Sequence, residues 1–261
     1  MTAATLLGRP ARRLAACLLG LLLPVLGAQA QQNLFNIPAG DLTPRGKVFF
    51  QHQTNVYDLH TFESKNHFVY GLGSGFEVGL NAVNIKFNLA RRNAPLTLRD
   101  GRDPNYPLKP LLQLTGQKFF YLTEHLKTSI GTQVGLNPVR FRPRRQLTHF
   151  SYNTWVYEPR RHWKLVAGPY LTDVGSVGPG NRVGVLAGFE VPVHRRLLVM
   201  GDFVSGRHAA AVSVLGVNFL ATQRLQLCAG ALLPNPGSGN RAGVVFELNL
   251  LGYDEPFGDD H

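Results

Sequence analysis

Polar side chains that could do chemistry occur singly along apolar, strand-like segments of this sequence. They alternate with apolar residues at a spacing of two, which places them on one face of each strand. Buried charges of this kind are usually paired, for example with Lys86 or Arg182, so they predict either an internal salt-bridge network or a solute-selecting constriction. The residues expected to line such an interior are Glu77, Gln113, Gln133, Glu190, Asp202, Gln226, Glu247 and Asn249.

His149 and Ser151 are the candidates for nucleophilic chemistry. Together with Asn153 they resemble the His-x-Ser sequence of outer-membrane lipid A deacylases. That resemblance implies a histidine base that activates the serine for acyl transfer. Two residues apart on a strand, both side chains share one face, which strand alternation predicts to be the inward one. The glycine pattern of those enzymes is missing, so the sequence predicts a protein that is not an enzyme, with a lipid acyl hydrolase as the alternative.

The sequence predicts neither a metal site nor a cofactor. The other histidines are scattered singly, without H-E-x-x-H or a paired ligand spacing. The glycine-rich stretches 73–75 and 178–181 are turn sequences that precede no helix, so they are not phosphate loops. Cys17 and Cys228 are the two cysteines, and the first lies in a segment expected to be removed, which leaves no disulfide within the mature chain.

The N-terminus has the layout of a cleaved signal peptide over residues 1–30. Arg9–Arg13 form the positive region, Leu14–Leu26 form an apolar run too short to span a bilayer, and Ala28-Gln29-Ala30 form the cleavage site before Gln31. Leu14–Cys17 is similar to a lipobox, in which the cysteine would be lipidated. A lipobox follows its apolar run, however, whereas here the run follows Cys17, so export without lipidation is favoured.

Charge and composition favour a membrane-associated strand protein. Charged residues make up 16% of the 261 residues, below the ~25% usual in soluble domains. The net charge is +11, and removing Arg9, Arg12 and Arg13 leaves +8. The excess arginines cluster between strand-like segments, at 91–92, 140–145, 160–161 and 195–196. We interpret them as loop charges facing anionic lipid and lipopolysaccharide rather than nucleic acid.

Short runs with period-two alternation predict about twelve strands, with 10 to 14 allowed by the pattern. Most have 8–13 residues, close to the ~9–11 that a tilted strand needs to cross a bilayer. Strands of soluble proteins average nearer ~5–6. The predicted ranges are 47–57, 66–73, 76–88, 111–120, 128–136, 148–157, 163–172, 182–193, 197–204, 210–220, 225–233 and 242–251.

The two faces of these strands differ in kind. In 242–251 one face is Ala242, Val244, Phe246, Leu248 and Leu250, and the other mixes glycine with Val245, Glu247 and Asn249. An apolar outer face and a glycine-rich, polar inner face are typical of a transmembrane barrel with a narrow lumen. Only a closed sheet pairs every backbone group in hydrocarbon. The fold predicted is therefore all-β: a closed antiparallel up-and-down transmembrane β-barrel. A soluble secreted β-sandwich is the alternative.

The connections alternate between longer and shorter, which predicts long loops at one rim and short turns at the other. With an even number of strands, both termini then lie at the short-turn, periplasmic rim. Aromatic residues beside the short turns, among them Phe119–Tyr121, Trp155 and Trp163, favour the same orientation. The predicted layout is a periplasmic segment over 31–46, a barrel over 47–252 and a polar tail over 253–261.

The chain resembles bacterial outer-membrane β-barrel proteins of the porin-like or transporter type. The resemblance rests on Asn36–Asp41 with Gly46–Phe50, on hairpins such as Tyr70–Leu80, and on the ending Leu232–Leu250. It implies localisation in the outer membrane and contact with the barrel-insertion machinery. Many such barrels end in an aromatic residue on the last strand, whereas here 252–261 follow it.

Two roles remain open for such a barrel. The first is porin-like passage or binding of small solutes through a narrow polar lumen. The second is a structural or ligand-binding barrel without conduction, whose basic loops 89–110 and 137–147 contact lipopolysaccharide or an external ligand.

Overall fold

Twelve antiparallel strands form one sheet that closes on itself in the computed structural model, which describes residues 33–100, 107–139, 147–255 and 257. The predicted fold class and strand number are confirmed. The strands are β1 (Val48–Val56), β2 (Thr61–Gly73), β3 (Phe76–Asn88), β4 (Leu111–Tyr121), β5 (Leu126–Leu136), β6 (Thr148–Tyr157), β7 (Lys164–Thr172), β8 (Val183–His194), β9 (Leu197–Val204), β10 (Val212–Leu220), β11 (Leu225–Pro234) and β12 (Gly243–Leu251). A four-residue helix, α1 (Val174–Val177), precedes β8.

The barrel closes where the first strand meets the last. β1 pairs with β12 from Phe49 opposite Leu251 to Val56 opposite Val244. Each strand pairs on its other side with its neighbour in the chain, so the order is that of an up-and-down barrel. Closure removes the sheet edges that would otherwise expose unpaired backbone groups to lipid.

Strand β2 is longer than the sequence predicts. It begins at Thr61 rather than Asn66, so the connection from β1 is 57–60 and the predicted connection over 58–65 is wrong. Glu63 and Lys65 interrupt the apolar alternation in this part of the strand, and such charged residues are less common in strands, so the sequence predicts a loop here. Both side chains point into the lumen, where Lys109 Nζ lies 2.7 Å from Glu63 Oε2.

The connections differ in length between the two rims. Those at the rim that holds the end of β12, here called the turn rim, have two to six residues. At the opposite rim, the loop rim, they reach 22 residues, between Asn88 and Leu111. One of the two-residue turns is Ser74-Gly75, where φ is 52° and 78°, as a type I′ hairpin turn requires.

Apolar side chains cover the outside of the barrel. Leu114 is 68% exposed, Leu80 60% and Ile130 59%, whereas their strand neighbours point inward and are buried or half-buried. This apolar outer surface is the one a strand barrel presents to lipid. Within the described residues, no helix has the length and hydropathy to cross a membrane.

The N-terminal segment, defined here as residues 33–44, lies inside the barrel. Leu34, Phe35, Ile37 and Asp41 are each at most 2% exposed. The sequence predicts a periplasmic segment over 31–46; the apolar side chains of its described part fit among glycines of the inner wall. The predicted signal peptide, with Ala28, Ala30 and Gln31, lies outside the described residues. In the predicted polar tail, Tyr253 and Glu255 are buried.

Candidate functional site

The inner wall of the barrel carries the polar residues that the sequence singles out. Seven of the eight are buried there, and Gln133 is half-buried. They come from seven strands around the wall and do not form one cluster: Glu77 (β3), Gln113 (β4), Gln133 (β5), Glu190 (β8), Asp202 (β9), Gln226 (β11), and Glu247 and Asn249 (β12). Three of them, Glu77, Glu190 and Asp202, belong to networks that involve the N-terminal segment. The suggested partners Lys86 and Arg182 do not take part in those networks as described below.

Asp41 is the centre of a buried ion network near the turn rim. Its carboxylate accepts a hydrogen bond from Lys164 Nζ and lies 3.6 Å from Lys127 Nζ. Lys164 Nζ lies 3.1 Å from Glu190 Oε1. Lys127 Nζ lies 2.9 Å from Glu158 Oε2. Two lysines and three carboxylates thus alternate, so the N-terminal segment is fixed to β5, β7 and β8 by paired charges.

Deeper in the lumen, Asp202 binds the same segment. It accepts hydrogen bonds from the backbone N–H and the side-chain amide of Asn36, the latter at 3.3 Å from Nδ2 to Oδ1. Lys65 Nζ donates to Asn36 Oδ1 at 2.9 Å. The Asn36 side chain therefore bridges β2 and β9, on opposite sides of the lumen.

A third polar chain fixes the part of the segment nearest β1. The backbone N–H of Thr43 donates to Glu77 Oε2 at 2.9 Å. Gln117 Nε2 donates to Glu77 Oε1 at 3.1 Å, and Tyr152 Oη donates to Gln117 Oε1 at 2.5 Å. This chain of hydrogen bonds runs across β3, β4 and β6.

Glycines on the inner wall make room for the apolar side chains of the segment. A Cβ added at Gly188 would lie 2.4 Å from Leu34 Cδ1 and 2.9 Å from Ile37 Cδ1. A Cβ at Gly216 or Gly230 would lie 2.8 Å or 3.0 Å from Phe35 Cζ. The glycine-rich inner face that the sequence shows therefore accommodates a separate piece of chain, in addition to bulky side chains of the wall.

The inner face is polar along β1 and in the neighbouring part of β11 and β12 near the turn rim. Gln51, Gln53 and Asn55 follow one another on the inner face of β1, and all are at most 3% exposed. Among the described residues, Gln226 and Asn249 keep side-chain atoms without a hydrogen-bond partner. Buried polar atoms of this kind are normally satisfied by ordered water or by a ligand. This wall could therefore hold water or a small polar solute.

The turn rim is covered by apolar residues and by the C-terminal tail. Phe49, Val69, Leu251 and Tyr253 form a buried cluster at this rim. Glu255 lies 3.8 Å from Arg161 at an adjacent cavity of about 280 Å³. Burial raises the pKa of Glu255 to about 8, with the carboxylate of Asp41 as the next cause. Burial likewise raises the pKa of Glu158, in the turn after β6.

Loops close over the opposite rim. Leu108, Val177 and Ala211, from three different loops, are at most 2% exposed. His208 is fully buried and its Nε2 lies 2.7 Å from Tyr170 Oη. Burial lowers the pKa of His208 to about 4, so its imidazole is neutral at pH 7.

His149 and Ser151 lie on the outer face of β6, and the predicted inward direction is wrong. Thr148, Thr154 and Val156 are the buried residues of this strand, whereas Trp155, on the same face as His149 and Ser151, is 47% exposed. The alternation was misassigned because aromatic Phe150 and Tyr152 point into the lumen and polar residues point outward. Ser151 Oγ lies 2.9 Å from Thr132 Oγ1, and no hydrogen bond of the His149 ring is present among the described residues.

Metal ligation has no candidate cluster in the part of the chain that the structure describes. Cys228 is a buried thiol on the inner face of β11, and Asn249 Nδ2 lies 3.7 Å from its sulfur. The site is thus a lumen occupied by a piece of the same chain, with charge pairs at one wall and amides at the other.

Fold and site together define a closed, twelve-stranded β-barrel with an occupied lumen, an architecture that fits a bacterial outer-membrane protein. No known family model matches the sequence, and no curated protein matches it. Among solved structures, the chain is similar to an active-site mutant of outer membrane phospholipase A from Escherichia coli. The TM-score is 0.44 and the identity 11%, over 87% of this chain and 95% of that chain. This likeness is one of architecture.

Proposed function

We propose that the protein is a small-solute pore of the bacterial outer membrane that its own N-terminal segment holds closed. The observation that carries this proposal is the way the segment is held. Among the described residues, its backbone–backbone hydrogen bonds stay within 33–47, and side chains make its bonds to the wall. A segment that is not a strand of the sheet can leave the lumen without opening the barrel.

The polar wall along β1, β11 and β12 supports passage of polar solutes, and the segment reaches this wall through Asn33 Nδ2, which donates to Gln51 Oε1 at 2.9 Å. Buried amides on β1, β11 and β12 offer both donors and acceptors, which suits a small polar or hydrated molecule. Barrels of about eight strands fill their interior with side chains of the wall. Here the filling is a separate segment, and the wall beneath it carries glycines.

Planar-bilayer conductance tests the proposal. The full-length protein and a variant lacking 33–44 would be compared after each is shown to be folded by its β-sheet circular dichroism. We expect rare openings for the full-length protein and a sustained conductance for the variant. A folded variant without conductance would instead favour a structural or ligand-binding barrel, and sustained conductance of the full-length protein would show that the segment does not close it.

A further inference from the structure

A hydrogen-bonded chain of polar side chains lies on the outer face of β1 and β2. His52 Nε2 lies 3.0 Å from Thr54 Oγ1, and His52 Nδ1 lies 2.8 Å from Asn66 Oδ1. Asn66 Nδ2 donates to Ser64 Oγ at 3.4 Å. All four residues have the strand parity of Val48, Phe68 and Tyr70, which are 38%, 45% and 42% exposed on the lipid-facing surface.

The hydrogen bonds define the state of the His52 ring. The Asn66 oxygen only accepts, so His52 Nδ1 carries the proton and donates it. Nε2 then has a lone pair, and the Thr54 hydroxyl donates to it. This is the arrangement in which a neutral histidine acts as a general base on a hydroxyl while a third side chain fixes the ring.

The position along the barrel places the chain near one side of the apolar band. Thr54 is two residues from the end of β1, about 5 Å along the barrel axis for a strand tilted by ~40°. Phe62, opposite Val56, stacks on Phe87 with ring centroids 5.0 Å apart at this end. Aromatic rings gather at the membrane interface, so the Thr54 hydroxyl lies just on the hydrocarbon side of it.

The residues around the chain are apolar. On β12, Phe246 lies opposite Thr54 and Leu248 lies opposite His52. Ala82 of β3 lies opposite Asn66. A polar group that faces hydrocarbon is unfavourable unless it is satisfied. A polar chain framed by apolar residues can contact the ester of a lipid while the acyl chains lie on Phe246 and Leu248.

We propose that Thr54 is the nucleophile and His52 the general base of an acyl-transfer site for carboxylic esters of membrane lipids. Thr54 Oγ1 attacks the ester carbonyl carbon, and its proton passes to His52 Nε2. The carbon–oxygen bond to the lipid alcohol breaks, and the alcohol leaves with that proton. Water then attacks the carbonyl carbon of the acyl-threonine and loses a proton to His52. The bond from that carbon to Thr54 Oγ1 breaks, His52 returns the proton to Oγ1, and the products are a fatty acid and free Thr54.

Two neighbours complete the site. Asn66 is a positioning residue, because it contacts the histidine and not the ester. Ser64 lies opposite Thr54 on β2 and presents a second hydroxyl as a donor to the carbonyl oxygen. By contrast, the Ser151 hydroxyl on β6 bonds to Thr132, so that pair lacks an assembled base.

Fatty-acid release from vesicles tests the proposal. The full-length barrel would be reconstituted in phosphatidylethanolamine–phosphatidylglycerol vesicles and the released fatty acid measured by mass spectrometry. We expect release by the unaltered protein, a loss of at least about 100-fold in Thr54→Ala and His52→Phe, and retained release in Thr54→Ser. Asn66→Ala should lower the rate and shift its pH profile, and Asn66→Asp, which keeps an acceptor oxygen, should restore both.

Matched controls come from the other polar pair on the outer face. Ser151→Ala and Thr132→Ala should leave release unchanged, and circular dichroism shows whether each variant is folded. The proposal is overturned if the unaltered protein releases no more fatty acid than Thr54→Ala. It is also overturned if release is lost in Ser151→Ala but kept in Thr54→Ala, which would move the activity to His149 and Ser151. Conductance does not enter this test, so it is independent of the proposed pore.

Discussion

Truncating Phe35 should weaken the closure of the lumen without altering the barrel. Its ring is 2% exposed and packs over Gly216 and Gly230. Phe→Ala at a buried site costs about 3–5 kcal/mol. The Phe35 ring is buried only when the segment lies inside the lumen. Most of the free-energy cost of the substitution therefore falls on the docked state. About 3 kcal/mol corresponds to a shift of roughly 100-fold in the equilibrium between docked and released segment.

Efflux of a small ion from protein-loaded vesicles is the assay, since its rate follows the open fraction. We expect Phe35→Ala to raise the efflux rate by one to two orders of magnitude. Phe246→Ala is the matched control, because it removes the same ring from the outer face, where Phe246 is 54% exposed. Equal efflux from Phe35→Ala and the unaltered protein, with both folded, would refute the reasoning.

Two further predictions concern the charges. Asp41→Asn leaves Lys164 paired with Glu190 and Lys127 paired with Glu158, so we expect the free energy of unfolding to fall by about 1–3 kcal/mol. Lys164→Met leaves buried carboxylates without their shared cation and should lower it by about 3–5 kcal/mol. Urea unfolding in vesicles measures both, and equal losses would contradict this order. Burial and the Asp41 carboxylate raise the pKa of Glu255 to about 8, with Lys164, Arg161 and Glu190 as the other charged groups that act on it. The pKa of Glu255 is higher in the folded than in the unfolded protein. The stabilisation that Glu255 contributes is therefore present below about pH 4.5 and is lost as the pH rises through about 8. Limited proteolysis of the tail should therefore speed up from pH 5 to pH 9, and Glu255→Gln should abolish that dependence; the same pH dependence in the variant would contradict the assignment.

Much of the barrel could be predicted from the sequence, because an alternation of two is a local property of the chain. Strands β3, β6 and β9 have the predicted bounds. β2 was truncated where Glu63 and Lys65 interrupt the apolar pattern, since the partner that satisfies Glu63, Lys109, is distant in the chain. The predicted inward and outward faces of β6 are exchanged for a related reason: Phe150 and Tyr152 are aromatic, yet they point inward.

The site was harder to predict, because it depends on contacts between distant parts of the chain. The inner-wall residues follow from parity, but their partners in the N-terminal segment do not. A signal was nevertheless present: Leu34, Phe35 and Ile37 are apolar residues in a segment assigned to an aqueous compartment. The many glycines on the inner face were a second signal, because they leave space that other side chains of the wall do not obviously fill. His52, Thr54 and Asn66 lie on neighbouring strands, so their contacts needed the register of β1 and β2.

A designed disulfide measures most directly whether the segment occupies the lumen. A Cβ at Gly188 would lie 2.4 Å from Leu34 Cδ1, which is two bonds from Leu34 Cβ, so we expect cysteines at 34 and 188 to approach closely enough to bond. In a Cys228→Ser background, Leu34→Cys with Gly188→Cys should cross-link on mild oxidation in membranes. Leu34→Cys with Ala187→Cys, one residue away on the outer face, should remain reduced. A folded 34/188 pair that stays reduced, or a 187 control that cross-links equally, would contradict a lumen closed by residues 33–44.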